Sequence, residues 1–364
     1  MKKSFSLIIC VIMLFVFVCG CGKDSKKTSS DSSATNGSVG SSLVSSDAPS
    51  KDTTSRLTDD QIATTQHLGN WANKIEEVKT ASDGKFTFLV QTDTHHYDTS
   101  IAYEGKNVAA FSNFVDLDFA ANLGDLTRGY SVDEIDNPEN MRACMADIVQ
   151  RTLNRAKCPV FMTVGNHDTN KLWCEKWADH TAQIMPSEHV EMVFSPLKQH
   201  NGDAMVTGGN GSYYYMDFND DKIRVIMLNT VDDEYDGTKY SNIFKISDEQ
   251  VKWFKEEALN TTNAVIVMMH TALFQDFPDN DNSVVNSGLI LSSVEEFVAN
   301  GGQFIAYMYG HSHDQYLVID DNGRLHISFF KGGKYGEVVM IDTNLKSIST
   351  IGLGGIKDRE FRYD

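Results

Sequence analysis

Phe86-Thr87-Phe88-Leu89-Val90-Gln91-Thr92-Asp93-Thr94-His95 is a short, largely apolar run that ends on a carboxylate and an imidazole. A run of this length and composition reads as a buried β-strand with a polar group set at its C-terminal end. The arrangement recurs downstream. Phe119 to Leu123 runs into Gly124-Asp125, and Pro159 to Val164 into Gly165-Asn166-His167-Asp168. Ala264 to Met269 runs into His270, and Gln303 to Tyr309 into Gly310-His311-Ser312-His313. Buried strands with polar C-terminal ends are the mark of an α/β sheet that binds ligands along one edge. All five ends here carry residue types that ligate metals.

Singly, each residue has an ordinary explanation. Asn166 reads as a turn former, Asp93 as a solvated carboxylate and His270 as a loop residue. The repetition in order, each time after an apolar run, carries the argument. Mixed nitrogen and oxygen donors suit Mn, Fe, Zn or Co. Two such cations about 3.5–4 Å apart can activate a water and clamp the charge that develops on a phosphoryl group.

This ordered set resembles the calcineurin-like metallophosphoesterase superfamily over roughly residues 85 to 345. The resemblance implies an α/β fold, a sandwich of two mixed β-sheets flanked by helices. It also implies hydrolysis of a phosphate ester, mono- or diester, at a dinuclear centre of two divalent or trivalent metal ions (Mn, Fe, Zn or similar) with a bridging hydroxide. Carried over residue by residue, Asp125 bridges the metals. Asp93, His95 and His313 complete the first site, and Asn166, His270 and His311 the second. His167 takes the role of the histidine that stabilises phosphoryl oxygens or protonates the leaving group. Asp168 positions that loop or fixes the histidine's tautomer. His96, beside His95, and Arg128 are candidate substrate contacts. His67, His180, His189, His200 and His326 read as background.

Two departures narrow the resemblance. Protein Ser/Thr phosphatases carry Asp-Arg-Gly after their Gly-Asp pair, where the Asp supports the catalytic histidine. Here the stretch reads Leu126-Thr127-Arg128-Gly129, so Arg128 stands in place of that Asp and the partner of His167 is unassigned. Purple acid phosphatases have Asp-x-Gly first and a tyrosine three residues after the bridging Asp. His95 and Arg128 occupy those positions.

The N-terminus reads as an export address. Lys2 and Lys3 precede a nearly uniform apolar run of 13 residues, Ser6 to Val18. That is shorter than the ~20 residues of a membrane-spanning helix and fits a signal-peptide core. The run ends in Val18-Cys19-Gly20-Cys21, which resembles a bacterial lipobox with Cys21 as the lipidated residue. The expected organisation is a lipoprotein signal over 1–20, a Ser/Thr-rich tether over 21–56, an N-terminal helix over 57–84 and the catalytic domain over 85–364. The tether has too few large apolar residues to offset its ordering entropy. An extracytoplasmic, membrane-anchored enzyme follows as an expectation.

The helix is expected to run about five turns from a capping box at Thr58 and Gln61, with Leu57 and Ile62 as its staple and Leu68, Trp71, Ile75 and Val78 on its buried face. Asn137-Pro138 reads as a helix start. Ser247 and Gln250, with Ile246 and Val251, read as another. Tyr213–Phe218 and Lys222–Leu228 form an expected hairpin. Pro186 to Gly211 reads as a long loop and, with Asp232 to Tyr240, as a source of specificity. Cys144, Cys158 and Cys174 read as small buried residues, with a disulfide between two of them open.

The formal charge is −18, and removal of residues 1–20 takes two lysines and leaves −20. That balance disfavours a partner bound through phosphate neutralisation, so nucleic acid is an unexpected partner. The expected substrate is a small-molecule or nucleotide-like phosphate ester. Two rivals stand beside this reading: a catalytically silent metal-binding surface protein, and a nuclease of the same superfamily. Oligomeric state has no signature in the sequence.

Overall fold

The apolar runs become strands because their alternate residues face two different hydrophobic layers. In β1 (Phe86–Gln91) every residue is buried. Phe86, Phe88 and Val90 join one core cluster, while Leu89 joins the other. The computed structural model describes residues 68–96, 110–129, 138–177, 180–233, 244–278 and 284–363, all within one unit spanning Arg56–Asp364. After β1 come β2 (Phe119–Asn122), β3 (Val160–Met162), β4 (Val206–Gly208), β5 (Tyr213–Phe218), β6 (Ile223–Met227) and β7 (Ala264–Met269). β8 (Phe304–Tyr309), β9 (Leu317–Ile319), β10 (Leu325–Ser328), β11 (Gly336–Asp342), β12 (Ser347–Leu353) and β13 (Arg359–Arg362) complete the set.

The strands form two mixed sheets, as the resemblance implies. One has the order β13-β12-β11-β1-β2-β3, the other β4-β5-β6-β7-β8-β10-β9. In the first, β1, β2 and β3 are parallel, and β11 pairs antiparallel to β1. In the second, β6, β7, β8 and β10 are parallel, with antiparallel strands outside them. Tyr213–Phe218 and the following strand form the expected hairpin.

Aromatic residues hold the sheets face to face. Phe86 meets Phe218 with ring centroids 5.0 Å apart, and Phe161 stacks on Tyr214 at 5.6 Å. The Tyr214 hydroxyl donates to the Met162 carbonyl (2.9 Å) and accepts from the Met162 amide (2.8 Å), a polar pin between the sheets. Full burial of each such aromatic contributes about 1.5–3 kcal/mol.

Helices cover the outer faces. α1 (Ile75–Ala81) follows a 3₁₀ segment, Gly69–Lys74. This differs from the uniform five-turn helix expected. Leu57, Thr58, Gln61 and Ile62 lie outside the described residues. Gly69 and Asn70 are poor helix formers, and Trp71 is tied elsewhere: its indole N–H donates to the Lys334 carbonyl at 3.0 Å. α2 (Pro138–Leu153) buries Met141, Met145, Ile148 and Val149. α3 (Lys171–Trp177) follows β3.

The stretch read as a loop from Pro186 is instead helical to Asn201, through α4 (Pro186–His189), a π turn (Val190–Phe194) and α5 (Ser195–Asn201). Val193, Phe194 and Leu197 recur at helical spacing and are buried in the core. Asn201 brackets β3, accepting from the Val160 amide (3.0 Å) and donating to its carbonyl (2.7 Å). This segment packs along β3, which corrects the loop reading.

α6 (Asp248–Trp253) has the cap read from sequence, with Ser247 Oγ accepting from the Gln250 amide. α7 (Ser287–Ala299) was not anticipated. Cys144, Cys158 and Cys174 are buried, with no disulfide among the described residues. No helix among the described residues is long and apolar enough to cross a membrane.

Candidate metal centre

The loops leaving β1 and β2 continue the ladder of the parallel strands. The Asp93 amide donates to the Gly124 carbonyl, His95 to Asp125 and His96 to Leu126, at 2.8–3.0 Å. The chain must turn sharply while staying paired, so its backbone leaves the common regions. Asp93 (φ 50°), His95 (48°), Asp125 (49°), His311 (61°) and His313 (62°) are all left-handed. For a residue with a Cβ this costs about 1–2 kcal/mol. Such outliers persist where surrounding structure fixes them, and they cluster at functional sites. The two left-handed turns at His311 and His313 let both rings join the same centre.

Glycines let backbone approach the ligands. A Cβ on Gly165 would lie 2.2 Å from Asp125 Oδ1 and 2.6 Å from His270 Nε2. One on Gly310 would lie 2.1 Å from Thr92 Oγ1 and 2.9 Å from Asp93 Oδ2.

The result is two clusters that share Asp125. Asp93, His95, Asp125 and His313 offer ligand atoms within 4.8 Å of one another, and so do Asp125, His270 and His311. Asn166 joins the second, its Oδ1 lying 3.1 Å from His270 Nε2. Each carboxylate is anchored through one oxygen. Asp93 Oδ2 accepts from the His311 amide (2.9 Å) and Thr92 Oγ1 (2.6 Å). Asp125 Oδ1 accepts from the His167 amide at 2.9 Å. The other oxygens, Asp93 Oδ1 and Asp125 Oδ2, are buried and accept no hydrogen bond among the described residues. They face imidazoles: His313 Nε2 lies 3.2 Å from Asp93 Oδ1, and His270 Nε2 3.4 Å from Asp125 Oδ2. Two buried carboxylate oxygens without a hydrogen bond among the described residues, each facing histidine nitrogens, fit a pair of metal cations.

Protonation differs from ring to ring. Burial holds His95 and His311 down at about 4, so both are neutral donors. Burial would also lower His270, but Asp125 and Asp93 outweigh it and lift the ring to about 9. Burial pushes Asp93 up, yet the His313 ring and the charge on His270 bring it below the usual carboxylate range. Asp125 is held well below that range by His270, His167 and His95, against its burial. His270 Nδ1 donates to the Leu123 carbonyl at 2.8 Å, which turns Nε2 to the centre.

His167 finds its partner in a main-chain group. Its Nδ1 donates to the Arg128 carbonyl, and its Nε2 faces Asp125 Oδ2 at 3.8 Å. Gly129 (φ 52°) makes this approach feasible, since a Cβ there would sit 1.7 Å from the His167 carbonyl oxygen. Asp168 is fully buried and engaged with backbone. It accepts from the Gly165, Leu126 and Thr127 amides (2.8–3.1 Å) and from Thr127 Oγ1 (2.8 Å). Burial and the charge of Asp125 raise it to about 6. It thereby ties the Asp125 loop to the Asn166 loop.

His96 is buried, with Nε2 3.5 Å from Asp147 Oδ2 on α2, so its ring serves the α2 face of the loop. Arg128 is half-buried, and its main chain works at both ends, the amide donating to the His96 carbonyl at 3.0 Å. Cys21 lies outside the described residues. Sequence reasoning missed the glycines and the Arg128 carbonyl. A glycine before each of three ligand blocks (Gly124, Gly165, Gly310) was the available signal.

No curated protein matches the sequence. Among solved structures, the chain is similar to a dimetal phosphatase from Danio rerio, 14% identical, covering 77% of this chain and 99% of that one, with a TM-score of 0.55. It is also similar to a 5'-nucleotidase from Candida albicans (16% identity, 73% of this chain and 51% of that one, TM-score 0.39). A putative 5'-nucleotidase from Staphylococcus aureus gives 15%, 77%, 56% and 0.42 in the same terms. At 14% identity the likeness to the Danio rerio phosphatase is one of fold, and the chain spans about half the length of the two nucleotidases. The family model of calcineurin-like phosphoesterases matches residues 86–315, which covers all seven candidate ligands. The chain therefore belongs to the calcineurin-like phosphoesterase family and is a metallophosphoesterase.

Proposed function

We propose that the protein hydrolyses small phosphate esters at a dinuclear metal centre. Asp93, His95 and His313 would hold one ion, Asn166, His270 and His311 the other, and Asp125 would bridge them. The observation that carries this is the pair of buried carboxylate oxygens without donors, Asp93 Oδ1 and Asp125 Oδ2, each facing histidine Nε2 atoms. Two bound cations would supply a water of lowered pKa and neutralise charge on the phosphoryl oxygens.

The chain's own groups supply the rest. The Leu123 carbonyl fixes the His270 tautomer. The amides of His167 and His311 hold the two carboxylates in place. The Arg128 carbonyl keeps a proton on His167 Nδ1, so Nε2 is the atom that can exchange a proton with the leaving group. The export signal and Cys21 support a location on the outer face of the membrane, with the lipid as anchor. A net charge of −18 supports small esters over nucleic acid.

Purification without residues 1–21, metal quantification, and a panel of phosphomonoesters, phosphodiesters, cyclic nucleotides and pyrophosphates with Mn, Fe, Zn or Mg would test the reading. Turnover of an ester that Asp125→Asn abolishes is the expected result. Metal bound without turnover on any ester would favour a silent metal-binding protein instead.

A further inference from the structure

Side-chain exposure grades the centre from floor to rim. Asp93, Asp125 and His270 are fully covered, whereas His167 is 19%, His95 22% and His313 36% exposed. A ligand arriving from solvent therefore meets His313, His95 and His167 first. Beside the most open of these lies an exposed lysine. Lys331 Nζ sits 3.2 Å from His313 Nδ1.

The loop that carries Lys331 is fixed to the strand end that carries Asp93. The Gly332 amide donates to the Thr92 carbonyl (3.0 Å), and Gln91 Nε2 donates to the Gly333 carbonyl (2.9 Å). The Trp71 indole holds Lys334, and the Tyr335 amide closes a turn onto Gly332 at 3.2 Å. A lysine is thus anchored at the mouth of the centre in a chain of net charge −18.

We propose that Lys331 binds the phosphoryl group of the substrate and makes the enzyme prefer phosphomonoesters to phosphodiesters. The inference rests on the phosphoesterase reading above. A neutral imidazole has one lone pair and one N–H. Were His313 Nε2 to hold a metal ion, the ring proton would sit on Nδ1 and the Lys331 ammonium would lose the acceptor it has here. An anionic oxygen of a ligand at the rim would then be an acceptor for it. A monoester carries about −1.5 to −2 at neutral pH, whereas a diester carries a single charge. The extra cation therefore rewards the monoester, and a lysine on a flexible stem binds phosphate as a point charge.

The test uses the metal-loaded protein with Lys331→Met and Lys331→Arg. The probes are p-nitrophenyl phosphate, bis(p-nitrophenyl) phosphate and inorganic phosphate. For Lys331→Met, kcat/KM on the monoester should fall about 10–100-fold and phosphate affinity by calorimetry about 10-fold. The diester rate should change by less than about 3-fold, metal content by mass spectrometry should be unchanged, and Lys331→Arg should recover most of the monoester rate. Equal loss on both esters, loss of metal, or unchanged phosphate affinity would overturn the proposal. If the metal-loaded wild type hydrolyses neither ester, the phosphoesterase reading fails, and phosphate affinity alone still decides the role of Lys331.

Discussion

Replacing Gly165 with alanine places a methyl carbon 2.2 Å from Asp125 Oδ1, 2.6 Å from His270 Nε2 and 2.7 Å from the Asp125 amide nitrogen. None of these atoms belongs to a flexible chain end. Asp125 is anchored by the His167 amide, and His270 by the Leu123 carbonyl. Gly165 does not have a left-handed backbone, so alanine is conformationally at ease there and the effect is steric alone. Ordinary contact needs about 3.5 Å or more, so the shared carboxylate and the imidazole must yield by about 1 Å. A displacement of that size costs on the order of 100-fold in rate. Disturbing the groups that orient metal ligands costs about 10–100-fold in metal affinity. Overpacking also destabilises the fold by about 1–3 kcal/mol. Competition against a chromogenic chelator, with kcat/KM on the preferred ester, reads both effects. Gly288→Ala in α7 is the control, since a Cβ there meets nothing within 4 Å. Its stability should rise by up to about 1 kcal/mol. A Gly165→Ala protein that keeps wild-type metal affinity and rate would refute the argument that this glycine shapes the centre.

Metal loading should be linked to pH through His270, whose ring is raised to about 9 and must lose its proton to become a ligand. Apparent metal affinity should therefore rise with pH, about tenfold per unit below pH 9. Titrations at pH 6, 7 and 8 that gave a flat response would contradict it. Without metal the sign reverses: the contribution of protonated His270 is fully present below its ordinary value of 6.5 and is lost as pH rises through about 9, so apo thermal stability should decline over that window. Asp168→Asn would turn an amide toward backbone N–H groups that now donate to a carboxylate, and should cost about 2–5 kcal/mol in urea unfolding along with a fall in kcat. Unchanged stability would show that the tie between the two loops carries little.

The ligand-bearing strand ends were readable because each is an apolar run stopped by a polar group, which is what burial between two layers demands. Phe86–Gln91 and Ala264–Met269 have the expected bounds. The Pro186–Asn201 helix was hidden by polar composition, although Val190, Val193, Phe194 and Leu197 recur at helical spacing. The placing of β11 between β1 and β12 joins segments far apart in the chain, and nothing local encodes it. The partner of His167 was unreadable for a different reason. It is the carbonyl of Arg128, and a main-chain acceptor leaves no trace in residue identity. Lys331 was equally silent, because its meaning comes from a ring 18 positions earlier.

The central claim is a two-metal centre bridged by Asp125. Anomalous-scattering crystallography of the metal-loaded protein tests it most directly. Two peaks about 3.5–4 Å apart, one among Asp93, His95 and His313 and one among Asn166, His270 and His311, with Asp125 touching both, is the expected result. A single peak, or peaks that leave Asp125 Oδ2 without an ion, would contradict it.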